Sequence, residues 1–179
     1  MGLEVYQEAI WVPSTEWIKE KKEWVNDQLK EIGEETLNLL ADEAVTARNE
    51  KAYAPHSGYL VGAAILCKSE DIYSGGNLEY YAHTLPTSMH IVPNAVHAEE
   101  AAIHLAISEG EIQKSDIQFI KAIIVSHPSD SGPCDLCLPR IIEHCDDTLI
   151  IDVNENGEIQ FVSSLSLLKP KRFSPKDVK

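Results

Sequence analysis

The chain is poor in cysteine, in basic residues and in long apolar runs, and each shortage removes a class of protein. Four cysteines in 179 residues do not suggest a disulfide framework, so the expected compartment is the cytoplasm. No apolar stretch approaches a membrane span, and the first residues lack the basic start and apolar core of a signal peptide. No membrane partner is expected. Lysine and arginine number 15 against 29 aspartates and glutamates, a formal net charge of −14. Such a surface repels phosphate backbones, and no basic aromatic stripe offsets it, so nucleic acid is not an expected partner. The one dense basic cluster, Lys169-Pro170-Lys171-Arg172, reads as a solvated tail. No internal repeat or low-complexity tract is present, and the length is enough for one domain with a real core.

What is present is His97-Ala98-Glu99, followed downstream by Pro133-Cys134-Asp135-Leu136-Cys137. A neutral imidazole and two thiolates give Zn²⁺ a formally neutral site with a fourth tetrahedral position open. Zinc in such a site lowers the pKa of water from ~15.7 to about 7. Glu99 points to a different side from His97 if His97 opens a helix, and a carboxylate there can carry protons without occupying a coordination position. The alternative is a structural zinc site, which takes four protein ligands where this motif offers three. The nearest spare donors are His104, His127, Cys145 and Cys67. His104 lies two turns beyond His97 and is expected to pack in the core, and Cys67 and Cys145 read as small buried residues.

Ala101, Ala102, Leu105 and Ala106 recur at helical spacing among Glu99, Glu100 and Glu109, and the pattern stops at Gly110. Pro133 is a natural helix-start residue ahead of the cysteines, and Ile141 and Ile142 extend an apolar face beyond them. Two helix N-termini are therefore expected to converge on the metal, their partial positive charge favouring thiolates. Upstream, Pro13-Ser14 opens a segment whose Trp17, Ile18, Trp24, Val25, Leu29 and Ile32 repeat at helical spacing. Gly33 separates it from a second helix with Leu37, Leu40, Ala41, Ala44 and Val45. Strands are expected near residues 59–67, 119–126, 148–153 and 158–162. The division drawn is an N-terminal helical extension over residues 1–50, packing on a catalytic portion over 51–179.

The H-x-E…P-C-x-x-C arrangement is the zinc deaminase signature. Together with Ala52-Tyr53-Ala54-Pro55-His56-Ser57-Gly58-Tyr59-Leu60-Val61-Gly62-Ala63-Ala64 and Gly76-Asn77-Leu78-Glu79, it makes residues 41–179 resemble the cytidine deaminase family. The resemblance implies an α/β fold, an α/β/α sandwich around a mixed five-stranded sheet, here preceded by N-terminal helices. It also implies one Zn²⁺ per chain on His97, Cys134 and Cys137, with Glu99 as proton carrier. Asn77 and Glu79 match the pair that hydrogen-bonds sugar hydroxyls, which suits a donor–acceptor amide and a carboxylate; by itself Gly75-Gly76-Asn77 reads as turn chemistry. Tyr59 falls where the family has a ring packing against the base, and main chain near Ala98 and Pro133 is expected to hold the base edge. The implied reaction is hydrolytic deamination of cytidine or deoxycytidine, with pyrimidine salvage as its setting.

Four features depart from the family pattern. Gly58 replaces the usual Asn before Tyr59. Leu138-Pro139-Arg140 replaces an Arg-Gln pair whose charge matters less beside a neutral His ligand. Asp135 replaces Gly and is expected to accept hydrogen bonds at a helix start. The segment from Tyr80 to Pro93 is longer than expected and is read as a loop that adjusts substrate choice. The ending from Leu167 to Val178 resembles the close of the catalytic lobe in two-lobed relatives, which implies a homo-oligomer, dimer or tetramer. Two other readings stay open: a deaminase of a modified or antibiotic aminopyrimidine nucleoside, and a zinc-stabilised binding module without activity.

Overall fold

The computed structural model describes residues 13–80, 95–128 and 132–169. Helix α1 (Thr15–Ile32) starts where the Ser14 hydroxyl accepts from the Trp17 N–H, an ordinary N-cap. It ends at Gly33, beyond which α2 (Glu34–Thr46) runs into a π-helical turn, Ala47–Lys51. Strands β1 (Gly62–Cys67), β2 (Ile72–Gly76), β5 (Ile120–Ser126), β6 (Leu149–Val153) and β7 (Ile159–Ser164) form one sheet in the order β2-β1-β5-β6-β7. Only β5 and β6 run parallel, so the sheet is mixed as expected. A separate short pair, β3 (Leu78–Glu79) and β4 (Ala95–Val96), sets Glu79 opposite Ala95. The remaining helices are α3 (Ala98–Ser108), α4 (Glu111–Lys114), α5 (Cys137–Glu143) and α6 (Leu165–Leu168).

The central strands are apolar at nearly every position because both faces are covered. Ala63, Ile65, Ile123, Val125 and Ile150 point to one side, against Ala102, Ile103 and Ala106 of α3 and Ile141 of α5. Ala64, Leu66, Ala122, Ile124, Leu149 and Ile151 alternate to the other side, against Leu40, Ala41 and Ala44 of α2 and Val25 and Ile32 of α1. The result is an α/β/α sandwich. Asp147 ties α1 to this core: it accepts from Lys21 at 2.8 Å, from the Thr148 and Ser166 N–H groups and from the Ser166 hydroxyl.

Strand β2 differs from the sequence reading. Gly75 and Gly76 lie within it rather than in a turn, and their missing side chains serve close packing. A Cβ on Gly75 would stand 2.6 Å from the Ala101 Cβ, and one on Gly76 would collide with the backbone at Ala52. Gly62 on β1 faces Ala44 and Arg48 in the same way. These contacts let α3 and the π-helical turn settle onto the sheet, which fixes where α3 begins.

Candidate active site

His97 is the extended N-cap residue of α3, with φ −80° and ψ 155°. Its imidazole caps nothing; Nδ1 instead stands 3.3 Å from Cys134 Sγ. Cys137 is the first residue of α5, and Cys134 sits in the preceding turn, where its carbonyl accepts from the Cys137 and Leu138 N–H groups. The helix thus begins later than Pro133 suggested, Pro139 falls in its first turn, and its start has no side-chain cap. Asp135, expected there as an acceptor, is exposed and lines the cavity instead.

Ligand atoms of His97, Cys134 and Cys137 all lie within 4.8 Å of one another. The two sulfurs are 3.7 Å apart, close to the roughly 3.8 Å edge that Zn–S bonds of about 2.3 Å imply for a tetrahedron. Donor set and spacing therefore fit Zn²⁺. Among the described residues His104, His127, Cys145 and Cys67 do not join the group. His104 is exposed on α3, not packed in the core, because the buried face of that helix runs through Ala98, Ala102, Ile103 and Ala106. Cys67 and Cys145 are buried, as expected.

Glu99 is 4 % exposed and lines the same cavity as His97 and Cys134. Burial, then the neighbouring Glu99 carboxylate, then Cys134 push the Cys137 thiol far above its ordinary range. A dication beside the Cys137 sulfur would reverse that penalty.

The cavity, about 550 Å³, lies within the range of small-molecule sites, roughly 300–1,000 Å³. The upstream motif also lines it, β3 lying beside the strand that leads into His97. Asn77 accepts from the Val61 N–H and donates to the Tyr59 carbonyl, both at 2.9 Å, so it braces the extended 59–61 segment. One donor and one acceptor position of the amide remain. Glu79, buried, accepts from the Ser57 hydroxyl and from the His56 and Ser57 N–H groups. Burial pushes its carboxyl up, but those three hydrogen bonds and His56 outweigh it and hold the group below its ordinary value.

Of the nine residues singled out from sequence, Tyr59, Asn77, Glu79, His97, Ala98, Glu99 and Cys134 line this cavity. Cys137 is buried beside it, and Pro133 is buried without lining it. Tyr59 is half-exposed and precedes β1 rather than lying in a strand. The loop expected to adjust substrate choice, from 81 onward, lies outside the described residues, as does the chain after Lys169.

Ser57 and Asp152 had no expected role, and His127 stood only as a spare donor. His127, at the end of β5, lines the cavity with its Nε2 3.7 Å from Asp152 Oδ1, and both side chains are buried. Ser57 stood inside the quoted segment, but its partner Glu79 is far along the chain. Asp152 carried one signal: it is a lone acid within an otherwise apolar strand.

The family model for the cytidine and deoxycytidylate deaminase zinc-binding region matches residues 35–152. A cytidine deaminase from Halalkalibacterium halodurans is 33% identical over 141 residues, covering 78% of this chain and 96% of that protein. One from Sporosarcina psychrophila is 31% identical, covering 72% of this chain and 85% of its own length. The crystal structure of cytidine deaminase from Burkholderia pseudomallei superposes with a TM-score of 0.60 at 26% identity, over 75% of this chain and 97% of that one. The fold and the residue cluster belong to a hydrolase class that uses zinc. The chain is a member of the cytidine deaminase family.

Proposed function

We propose that this enzyme hydrolyses cytidine or deoxycytidine to the uracil nucleoside and ammonia, with one Zn²⁺ per chain on His97, Cys134 and Cys137. The observation that carries the proposal is the buried Glu99 carboxylate sharing one cavity with His97 and Cys134 of that cluster and with Asn77 and Glu79. Bound zinc supplies Lewis acidity that makes water a nucleophile near neutral pH. Glu99 takes a proton from the attacking water and delivers it to N3 as the oxygen bonds C4; it then moves the remaining proton of that C4 hydroxyl to the amine, and the C4–N bond breaks to leave the carbonyl and ammonia. Glu79 accepts from a sugar hydroxyl, and the remaining Asn77 positions bind its neighbour. Tyr59 packs against the base and main chain at Ala98 meets its edge, whereas Pro133, expected there too, does not line the cavity.

The described lining includes Glu79, Glu99 and Asp135 but no lysine or arginine, which favours an unphosphorylated substrate. Tyr59 and Leu136 are exposed at the cavity, an apolar rim suited to cover by a second copy, and we infer a homo-oligomer, dimer or tetramer. We assign residues 51–179 as the catalytic portion and 1–50 as an extension whose described helices pack on it, α1 through the Lys21–Asp147 bond and α2 as a layer over the sheet. No helix among the described residues is long and apolar enough to cross a membrane. A cytoplasmic role in pyrimidine salvage is part of the proposal.

The deciding experiment is ammonia release by the zinc-loaded chain on cytidine, deoxycytidine, their monophosphates and ring-modified aminopyrimidine nucleosides. Turnover of the two plain nucleosides is expected. Metal-replete protein inert on all of them defeats the proposal, and activity confined to modified nucleosides redirects it. An active monomer by light scattering removes the oligomer.

A further inference from the structure

Both helix starts that carry the ligand cluster lack a side-chain cap, yet the cluster needs them held to within fractions of an ångström. One side chain outside the ligand set spans them. Arg140, on α5, places Nε 2.9 Å from Glu100 Oε1 on α3. Its Nη1 donates to the Leu136 carbonyl at 2.5 Å. Glu100 follows Glu99 directly, and Leu136 directly precedes Cys137. The Glu100 side chain is only 15% exposed, while the imidazole of His104, on the same helix, stands 3.9 Å away.

We propose that Arg140 is a positioning residue that locks the His97–Glu99 helix start against the Cys134–Cys137 turn. This rests on the zinc reading above. The planar guanidinium presents several donors in a fixed fork, so one group serves a carboxylate on one helix and a carbonyl on the other at once. A lysine is a single flexible point of charge and holds one of the two well. Outer partners of this kind orient the ligands, and their loss typically weakens metal binding about 10–100-fold.

The test is competition of zinc-loaded full chain with a colorimetric chelator, with circular dichroism as the check on folding. Arg140→Ala and Glu100→Gln are each expected to raise the zinc Kd about 10–100-fold, and the double variant to do no worse than the stronger single. Arg140→Lys keeps the charge and the stem, so it folds even if Arg140→Ala does not, and it recovers only part of the affinity. A zinc Kd within about threefold of wild type for Arg140→Ala overturns the proposal, as do additive losses in the double variant or full recovery by Arg140→Lys. Wild-type chain that binds no zinc removes the metal reading itself; wild type and variants binding equally remove this proposal alone.

Discussion

Ser57 engages both oxygens of Glu79, its N–H on Oε2 at 3.1 Å and its hydroxyl on Oε1. The His56 N–H adds a third bond, at 2.9 Å. The carboxylate is thus the anchor on which the segment before β1 folds over the cavity, quite apart from any contact with substrate.

That anchor has a pH signature. The folded carboxyl lies below its ordinary value of 4.5, so the folded state prefers the charged form. Above 4.5 both folded and unfolded chains are ionised and the stabilisation is fully present. It is lost as pH falls through the lower, folded value. Wild type is expected to be more stable than Glu79→Gln by about 1–3 kcal/mol near neutrality, the gap closing on acidification. Melting midpoints of both proteins across the acid range measure it, and a gap unchanged down to about pH 3 defeats the assignment.

Glu99 touches the ligand cluster without belonging to it, which separates its chemistry from metal binding. Glu99→Gln keeps shape and burial but cannot carry a proton. A kcat loss of about 10²–10⁴-fold is expected, with zinc content still near one per chain. Retained turnover, or loss of the metal along with the activity, excludes the proton-carrier role.

The raised Cys137 thiol makes zinc uptake a proton-releasing event. With its proton held by burial and by Glu99, the metal-free site must give that proton up when the thiolate forms. Apparent zinc affinity is expected to fall steadily with pH through the whole neutral range, because the Cys137 proton is still held there, with measurable acid release on loading. Cys134→Ala, which removes a ligand outright, is expected to lose the metal and a large part of the roughly 10 kcal/mol that a bound zinc can contribute. Titration in a weakly buffered solution and metal analysis of the variant check both.

Much of the site was readable because its chemistry is local. His97-Ala98-Glu99 carries a ligand, a helix start and a carboxylate in three adjacent residues, and the helix period that follows fixes their directions. The three helices α1, α2 and α3 followed from apolar spacing, with Ser14, Gly33 and Gly110 as punctuation. What escaped depended on distant partners. His127 acquires meaning only when β6 brings Asp152 beside it, and Ser57 only when β3 brings Glu79. His104 was placed in the core by counting turns from His97, but His97 stands before the helix, so the count started from the wrong frame. Arg140 stood in the sequence only as part of the segment replacing an Arg-Gln pair, and its ion pair with Glu100 depends on α3 and α5 meeting.

Gly75 shows most plainly what spacing alone hides, because the same residue type serves turns and tight packing. Its backbone is not in the left-handed region, so any cost of a side chain there is steric. A Cβ would stand 2.6 Å from the Ala101 Cβ and 2.7 Å from the Ala102 nitrogen, pressing on the helix that begins at the His97–Cys134–Cys137 cluster. Gly75→Ala is expected to cost about 1–3 kcal/mol or more and, by displacing α3, to weaken zinc binding as well. Gly110→Ala is the control: that residue ends α3 at φ +86°, far from the cluster, and its loss should cost about 1–2 kcal/mol with zinc affinity unchanged. Denaturant unfolding and zinc competition on the two variants distinguish the cases. Equal effects of both substitutions on zinc binding contradict the view that β2 sets the position of the helix carrying Glu99.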